Sequence, residues 1–129
     1  MQKVLKGQDP LHILGDGSQI RHYTYGADLA EGIVTAMEHP DALNDDFNLS
    51  TSESTTVLEL AQSIWTEIKG EGVPFHVVSD PPFAHDVSCR VPSTDKAKRL
   101  LGFEATTGLE KILHEVVPWI ERAVADGSI

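Results

Sequence analysis

Residues Gly15 to Glu38 read GDGSQIRHYTYGADLAEGIVTAME, and the fold follows from how this stretch is parsed. Gly15-Asp16-Gly17-Ser18 is turn chemistry, because Gly and Asp tolerate the dihedrals of a tight reversal. Gln19 to Tyr25 reads as a strand. Asp28 opens a helix, with Glu31 three residues later as its capping partner. Leu29, Ile33, Val34 and Met37 then recur at helical spacing, and Pro40 stops the run. The apolar run Leu11 to Leu14 lies just before the turn, so Leu11–Leu14 and Gln19–Tyr25 are expected to form a hairpin.

The rest of the chain extends this alternation. Met1 to Gly7 has the look of a helix end, with Val4 and Leu5 as its apolar contacts. Phe47-Asn48-Leu49 is expected to be a short strand. Thr56 and Glu59 form a second capping pair. Val57, Leu60, Ala61, Ile64 and Ile68 follow on one helix face, and Gly70 ends that helix. Phe75 to Val78 is a further strand. Asp80 to Val91 is a long irregular stretch with adjacent prolines, and connections of that length often carry function. Ser93 is expected to cap a short helix through Leu101, stopped by Gly102. Thr107 and Glu110 are expected to cap the last helix. That helix places Leu109, Ile112, Leu113, Val116, Val117 and Ile120 on one side, and Pro118 should kink it. Residues 126–129 should fray. The order predicts one mixed α/β domain over residues 1–129.

Composition narrows the function. The 129 residues carry a formal net charge of -10, which disfavours nucleic acid and anionic membranes as partners. The apolar share, 40%, is an ordinary globular one. Cys89 is the single cysteine, so no internal disulfide can form, which suits the cytoplasm. No apolar run is long enough to span a membrane, and no signal-peptide pattern precedes the fold. His114-Glu115 begins like a zinc-protease helix motif, but Pro118 stands where the second histidine belongs, so no metal site is expected.

Several side chains are candidates for chemistry. Arg21 sits in a presumed strand between a glycine turn and two tyrosines. Its planar fork suits phosphate, and a surface ion pair in an acidic chain is the other reading. Gly15 and Gly17 do not form the G-x-G-x-x-G dinucleotide pattern, and they precede a strand rather than a helix. Tyr23 and Tyr25 read as packing residues, and neither is followed by Lys in a Tyr-x-x-x-Lys pair. The hydroxyls of Ser50 to Ser54 read as caps and turns. Asp86 and Arg90, with His85, lie in the long late loop, where binding and a structural ion pair are both open.

Three segments together resemble the NAD-dependent epimerase/dehydratase family of the extended short-chain dehydrogenase/reductase group. In order, they are GDGSQIRHYTYGADLAEGIVTAME, FNLSTSESTTVLELAQSI, and DVSCRVPSTDKAKRLLGFEATTGLEKILHEVVPWI, which contains a Lys-Ala-x-x-x-Leu-Gly-aromatic phrase. The resemblance implies the substrate-binding half of such an enzyme. The Rossmann half, its glycine-rich NAD loop and its Tyr-x-x-x-Lys pair would lie elsewhere, so this chain would hold no NAD and no catalytic residue. It implies that Arg21 grips the phosphates of a nucleotide-sugar, that Asp86 belongs to the late binding loop, and that Arg90 is a third substrate contact. Many relatives place an arginine three residues before that aspartate; here the position is Phe83. A portion of an epimerase or dehydratase, a stand-alone nucleotide-sugar-binding module, and a subunit completing a separate NAD-binding chain all agree with this pattern. The helix from Asp28 and the strand Phe47–Leu49 would normally be covered by the missing half, so a homo-oligomer is expected.

Overall fold

Thr56 and Glu59 set the best-defined boundary in the computed structural model, which describes residues 1–129. The Thr56 hydroxyl accepts from the Glu59 amide at 3.1 Å, and the Thr56 amide donates to the Glu59 carboxylate at 2.7 Å. This reciprocal cap starts α3 (Val57–Lys69), and Gly70, at φ +93°, ends it. Ala61, Ile64 and Trp65 on its inner face pack with Leu113 of α5 (Leu109–Ala125), Val4 of α1 (Gln2–Leu5) and Leu11 of β1 (Leu11–Leu14). Trp65, Leu113 and Val4 are the most fully enclosed side chains. Each contributes on the order of 2–3 kcal/mol by leaving water. α5 runs on through Pro118 as one helix.

A second, smaller core joins Ala97 and Leu101 of α4 (Asp95–Leu101) to Phe103 and Ala105, with Phe47 and Leu49 packed against it. Gly102 closes α4 in the left-handed conformation, φ +66°. α2 (Gly26–Glu38) meets this core through Gly32, its one buried residue. Leu29, Ile33, Val34 and Met37 are exposed, Met37 at 81%.

The architecture is mixed α/β, as expected, but the expected hairpin does not form. β1 pairs in parallel with β4 (Val77–Asp80), starting at Leu11 opposite Val77. β2 (Ile20–Arg21) lies in a different sheet, between β3 (Thr55–Thr56, antiparallel) and β5 (Cys89–Arg90, parallel). The backbone explains the split. The carbonyls of Gly17 and Gln19 accept from the amides of Leu58 and Val57, both at 3.0 Å. The chain after the turn is therefore committed to the start of α3, and the edge of β1 is left for β4.

Other boundaries shift for similar reasons. The strand expected over Gln19–Tyr25 shortens to Ile20–Arg21, and the one expected over Phe75–Val78 falls at Val77–Asp80. Phe47–Leu49 is not a strand; its apolar side chains pack on the second core, and the nearby ladder is a single bridge between Thr51 and Ala105. Asp28 does not open its helix, which begins two residues earlier behind Tyr25. Its carboxylate accepts instead from the Thr107 amide at 2.9 Å and the Thr107 hydroxyl at 2.8 Å. Thr107, so engaged, does not cap α5, whose N-cap is Gly108; α4 is likewise preceded by Thr94 rather than Ser93.

Candidate nucleotide-binding site

The parallel pairing of β2 with β5 sets Arg21 opposite Arg90. Paired residues on adjacent strands point to the same face, so two guanidinium groups are brought to one side of the small sheet. A cleft of about 740 Å³ opens there, lined by both arginines together with His22, Tyr23, Asn48 and Ser50. Of the two arginines, Arg21 alone makes an ion pair, so the cleft keeps an excess of positive charge within a strongly acidic chain.

Arg21 is held at two points. Its Nη1 donates to the Ile20 carbonyl at 2.8 Å, and its Nη2 donates to Asp86 Oδ1 at 3.4 Å. The other Asp86 oxygen accepts from Gln19 Nε2 at 3.0 Å, and the same amide nitrogen donates to the Leu14 carbonyl at 3.2 Å. One carboxylate from the loop after β4 is thus gripped by Arg21 of β2 and by Gln19, two residues earlier and just before the strand. The structure brings Arg21, Asp86 and Arg90 into one neighbourhood. Gln19 was not singled out from the sequence, although its same-face spacing from Arg21 was a usable signal.

Hydroxyl contacts order the segments that carry His22 and Ser50 into the cleft. Thr24 Oγ1 lies 3.0 Å from Ser50 Oγ and accepts from the Thr51 amide at 3.0 Å, tying residues 50–51 beside the chain leaving β2. His22 Nε2 meets Ser54 Oγ at 3.0 Å, while its Nδ1 is buried without a partner. Burial raises the ionisation of the Tyr23 phenol above its ordinary range, against the opposing charge of Arg21, so Tyr23 remains a neutral donor. Tyr25 donates to the Glu115 carboxylate, and that bond raises its pKa. It therefore joins α5 to the end of the β2 segment. A second cleft of about 290 Å³ lies along the same arginine, lined by Ile13, Leu14, Val57, Phe83, Gln19 and Asp86 besides Arg21.

The glycine pair does not fit a dinucleotide. A Cβ on Gly17 would stand 2.9 Å from both Ile13 Cδ1 and Leu58 Cβ, and one on Gly15 would stand 2.9 Å from Gln19 Nε2. These glycines make room for the chain's own side chains, and no helix N-terminus follows them to receive a pyrophosphate. No group of three His, Cys, Asp or Glu is placed to hold a metal ion, and no helix is long and apolar enough to cross a membrane.

Fold and site together define an α/β chain with a strand-borne arginine pair, one member braced by a carboxylate, suited to an anionic ligand. Comparison with known proteins gives the class a family. The family model for GDP-mannose 4,6 dehydratase matches residues 1–116. UDP-glucose 4-epimerase 3 of Oryza sativa subsp. japonica is 33% identical over 133 residues, covering 95% of this chain and 35% of its own length. The crystal structure of a UDP-glucose 4-epimerase from Thermotoga maritima, solved with UDP-glucose, superposes with a TM-score of 0.79 at 32% identity, covering 95% of this chain and 38% of that one. MoeE5, solved with UDP-glucuronic acid and NAD, superposes with a TM-score of 0.77 at 26% identity, covering 95% and 40%. The chain belongs to the NAD-dependent epimerase/dehydratase family of the extended short-chain dehydrogenase/reductase group. It spans about a third of the length of the curated relatives it matches.

Proposed function

We propose that this chain supplies the nucleotide-sugar-binding portion of an NAD-dependent sugar-nucleotide epimerase or dehydratase. The observation that carries the reading is the register that sets Arg21 opposite Arg90 on the open cleft. Two guanidinium forks on one face match a diphosphate, whose oxygens accept paired hydrogen bonds. Asp86 keeps the Arg21 fork in position and offers carboxylate oxygens to ligand hydroxyls. Asn48 and the Tyr23 hydroxyl add neutral hydrogen-bonding groups at the rim.

Hydride transfer requires a glycine-rich NAD loop and a Tyr-x-x-x-Lys pair, and these 129 residues contain neither. The reading therefore assigns NAD and the chemical step to a Rossmann half outside these residues, and expects no epimerisation from this chain alone. It also assigns a partner to the exposed apolar face of α2, either that NAD-binding half or, for the chain by itself, a second copy. Its place is the cytoplasm, which the single unpaired cysteine suits.

Calorimetric titration of UDP-glucose and GDP-mannose into the chain tests the reading. Binding that falls at least tenfold in Arg21→Ala and in Arg90→Ala is expected, since removing a charged hydrogen-bonding partner costs about 2–5 kcal/mol. Affinity for both ligands that survives both substitutions overturns it.

A further inference from the structure

Phe83 is a large apolar side chain left 68% exposed in the loop between β4 and β5. A single exposed phenylalanine means little by itself. This one lines the cleft of about 290 Å³ together with Ile13, Leu14 and Val57, while Arg21, Asp86 and Gln19 supply the polar part of the same wall. Arg21 also lines the larger cleft that holds Arg90. The two clefts are therefore neighbours across one guanidinium group. A ligand that places an anion on Arg21 has an apolar recess on one side and a hydrogen-bonding cleft on the other.

Resting on the reading above, we infer that Phe83 is a base-binding residue: an aromatic platform that takes the base of a nucleoside diphosphate whose phosphates lie on Arg21. The recess suits a planar ring. Its volume is at the lower limit for a small-molecule pocket, too small for a whole nucleotide-sugar, and its lining is mainly apolar. The larger cleft has room for the remainder. Asp86, which also lines the recess beside Arg21, has carboxylate oxygens to accept from the hydroxyls of a ribose. Phenylalanine brings no charge to this loop, so it adds nothing to phosphate affinity and acts through the base alone. Stacking of a base on an aromatic side chain tolerates both pyrimidines and purines, because every base has a π-face.

Titration by NMR chemical shift on the 129-residue chain, with UDP, GDP and inorganic pyrophosphate as probes, separates the possibilities. Phe83→Ala should weaken UDP and GDP about tenfold, as expected for a lost stacking contact, while Phe83→Tyr should retain both affinities. Pyrophosphate, which has no base, should bind Phe83→Ala as it binds the parent chain, and undetectable binding to both also fits. Unchanged UDP and GDP affinity in Phe83→Ala, or an equal loss for pyrophosphate, overturns the platform. If that happens while Arg21→Ala still abolishes UDP binding, the platform alone is wrong. If the parent chain binds none of the three probes, the underlying assignment of the site fails with it.

Discussion

Arg21 and Asp86 are 65 residues apart in the chain, and their side chains meet at 3.4 Å. That contact is long for a charge-assisted hydrogen bond, so it does not by itself hold the loop. The stronger tie is Gln19, whose Nε2 reaches the second Asp86 oxygen at 3.0 Å and the Leu14 carbonyl at 3.2 Å. Gln19→Leu removes both bonds. It also removes the buried, unpartnered Gln19 Oε1, which offsets part of the loss. The net cost should be about 1 kcal/mol in urea unfolding. The more telling effect should be on binding, a severalfold loss of UDP affinity as Asp86 and Arg21 lose their fixed positions. Unaltered affinity would show that the loop is positioned by something else.

Asp28 supports a pH prediction. The Thr107 amide, and then the Thr107 hydroxyl, hold its carboxyl below the ordinary value of 3.8, against partial burial. The folded pKa is therefore depressed relative to the unfolded one. The stabilisation is present in full above the unfolded value and disappears as pH falls through the folded value. Asp28→Asn should lower stability at pH 7 by about 1 kcal/mol, discounted for exposure. The gap between variant and parent should close as pH falls below the ordinary value of 3.8 and through the lowered folded value. Denaturant midpoints across pH 2 to 7 would check this, and a gap that persists at low pH would mean that Asp28 acts without its charge.

Much of the helical framework was legible because its determinants are local. Thr56 and Glu59 are three residues apart, and Gly70 and Gly102 act at their own positions. The errors share one cause. β1 finds its partner at Val77, so the nearer hairpin was the natural but mistaken reading. Asp28 looked like a cap because Thr107, its true partner, is 79 residues away. Phe47 and Leu49 carry strand-like residues, but burial against Ala97 and Phe103 decides their conformation. The site follows the same division. Arg21 stood out by its type and surroundings, whereas Gln19 gained a role only when the late loop folded back onto β2.

Gly32 is where two opposing effects can be weighed. Alanine favours a helix interior over glycine by about 1 kcal/mol. A Cβ on Gly32, however, would stand 2.8 Å from Cε2 and Cζ of Phe103, a ring that is itself buried beside Leu101 and Ala105. Overpacking of this kind costs about 1–3 kcal/mol. Gly32→Ala should therefore destabilise the fold, by about 1 kcal/mol net. Gly26→Ala, with nothing within 4 Å of the added carbon, is the control and should be neutral or stabilising. A higher melting temperature in Gly32→Ala would show that α2 can lift from the second core without loss.

The outer face of α2 supports the last prediction. Leu29, Ile33, Val34 and Met37 recur on one side of the helix, and all are exposed, while the opposite side buries only Gly32. Exposed apolar surface costs about 25 cal/mol for each Å² left in water. A stripe of four large residues is also more than the scattered exposure usual on a monomer. In the isolated chain the available cover is another copy of the same stripe, which a two-fold axis can place against itself. Light scattering should find a dimer or larger assembly at tens of micromolar or above. Val34→Glu combined with Met37→Lys should shift it toward monomer without loss of helix content, since neither side chain is buried in the fold. A parent chain that is monomeric throughout that range would show that the stripe is tolerated in water, and the assignment of a second copy to α2 would fall.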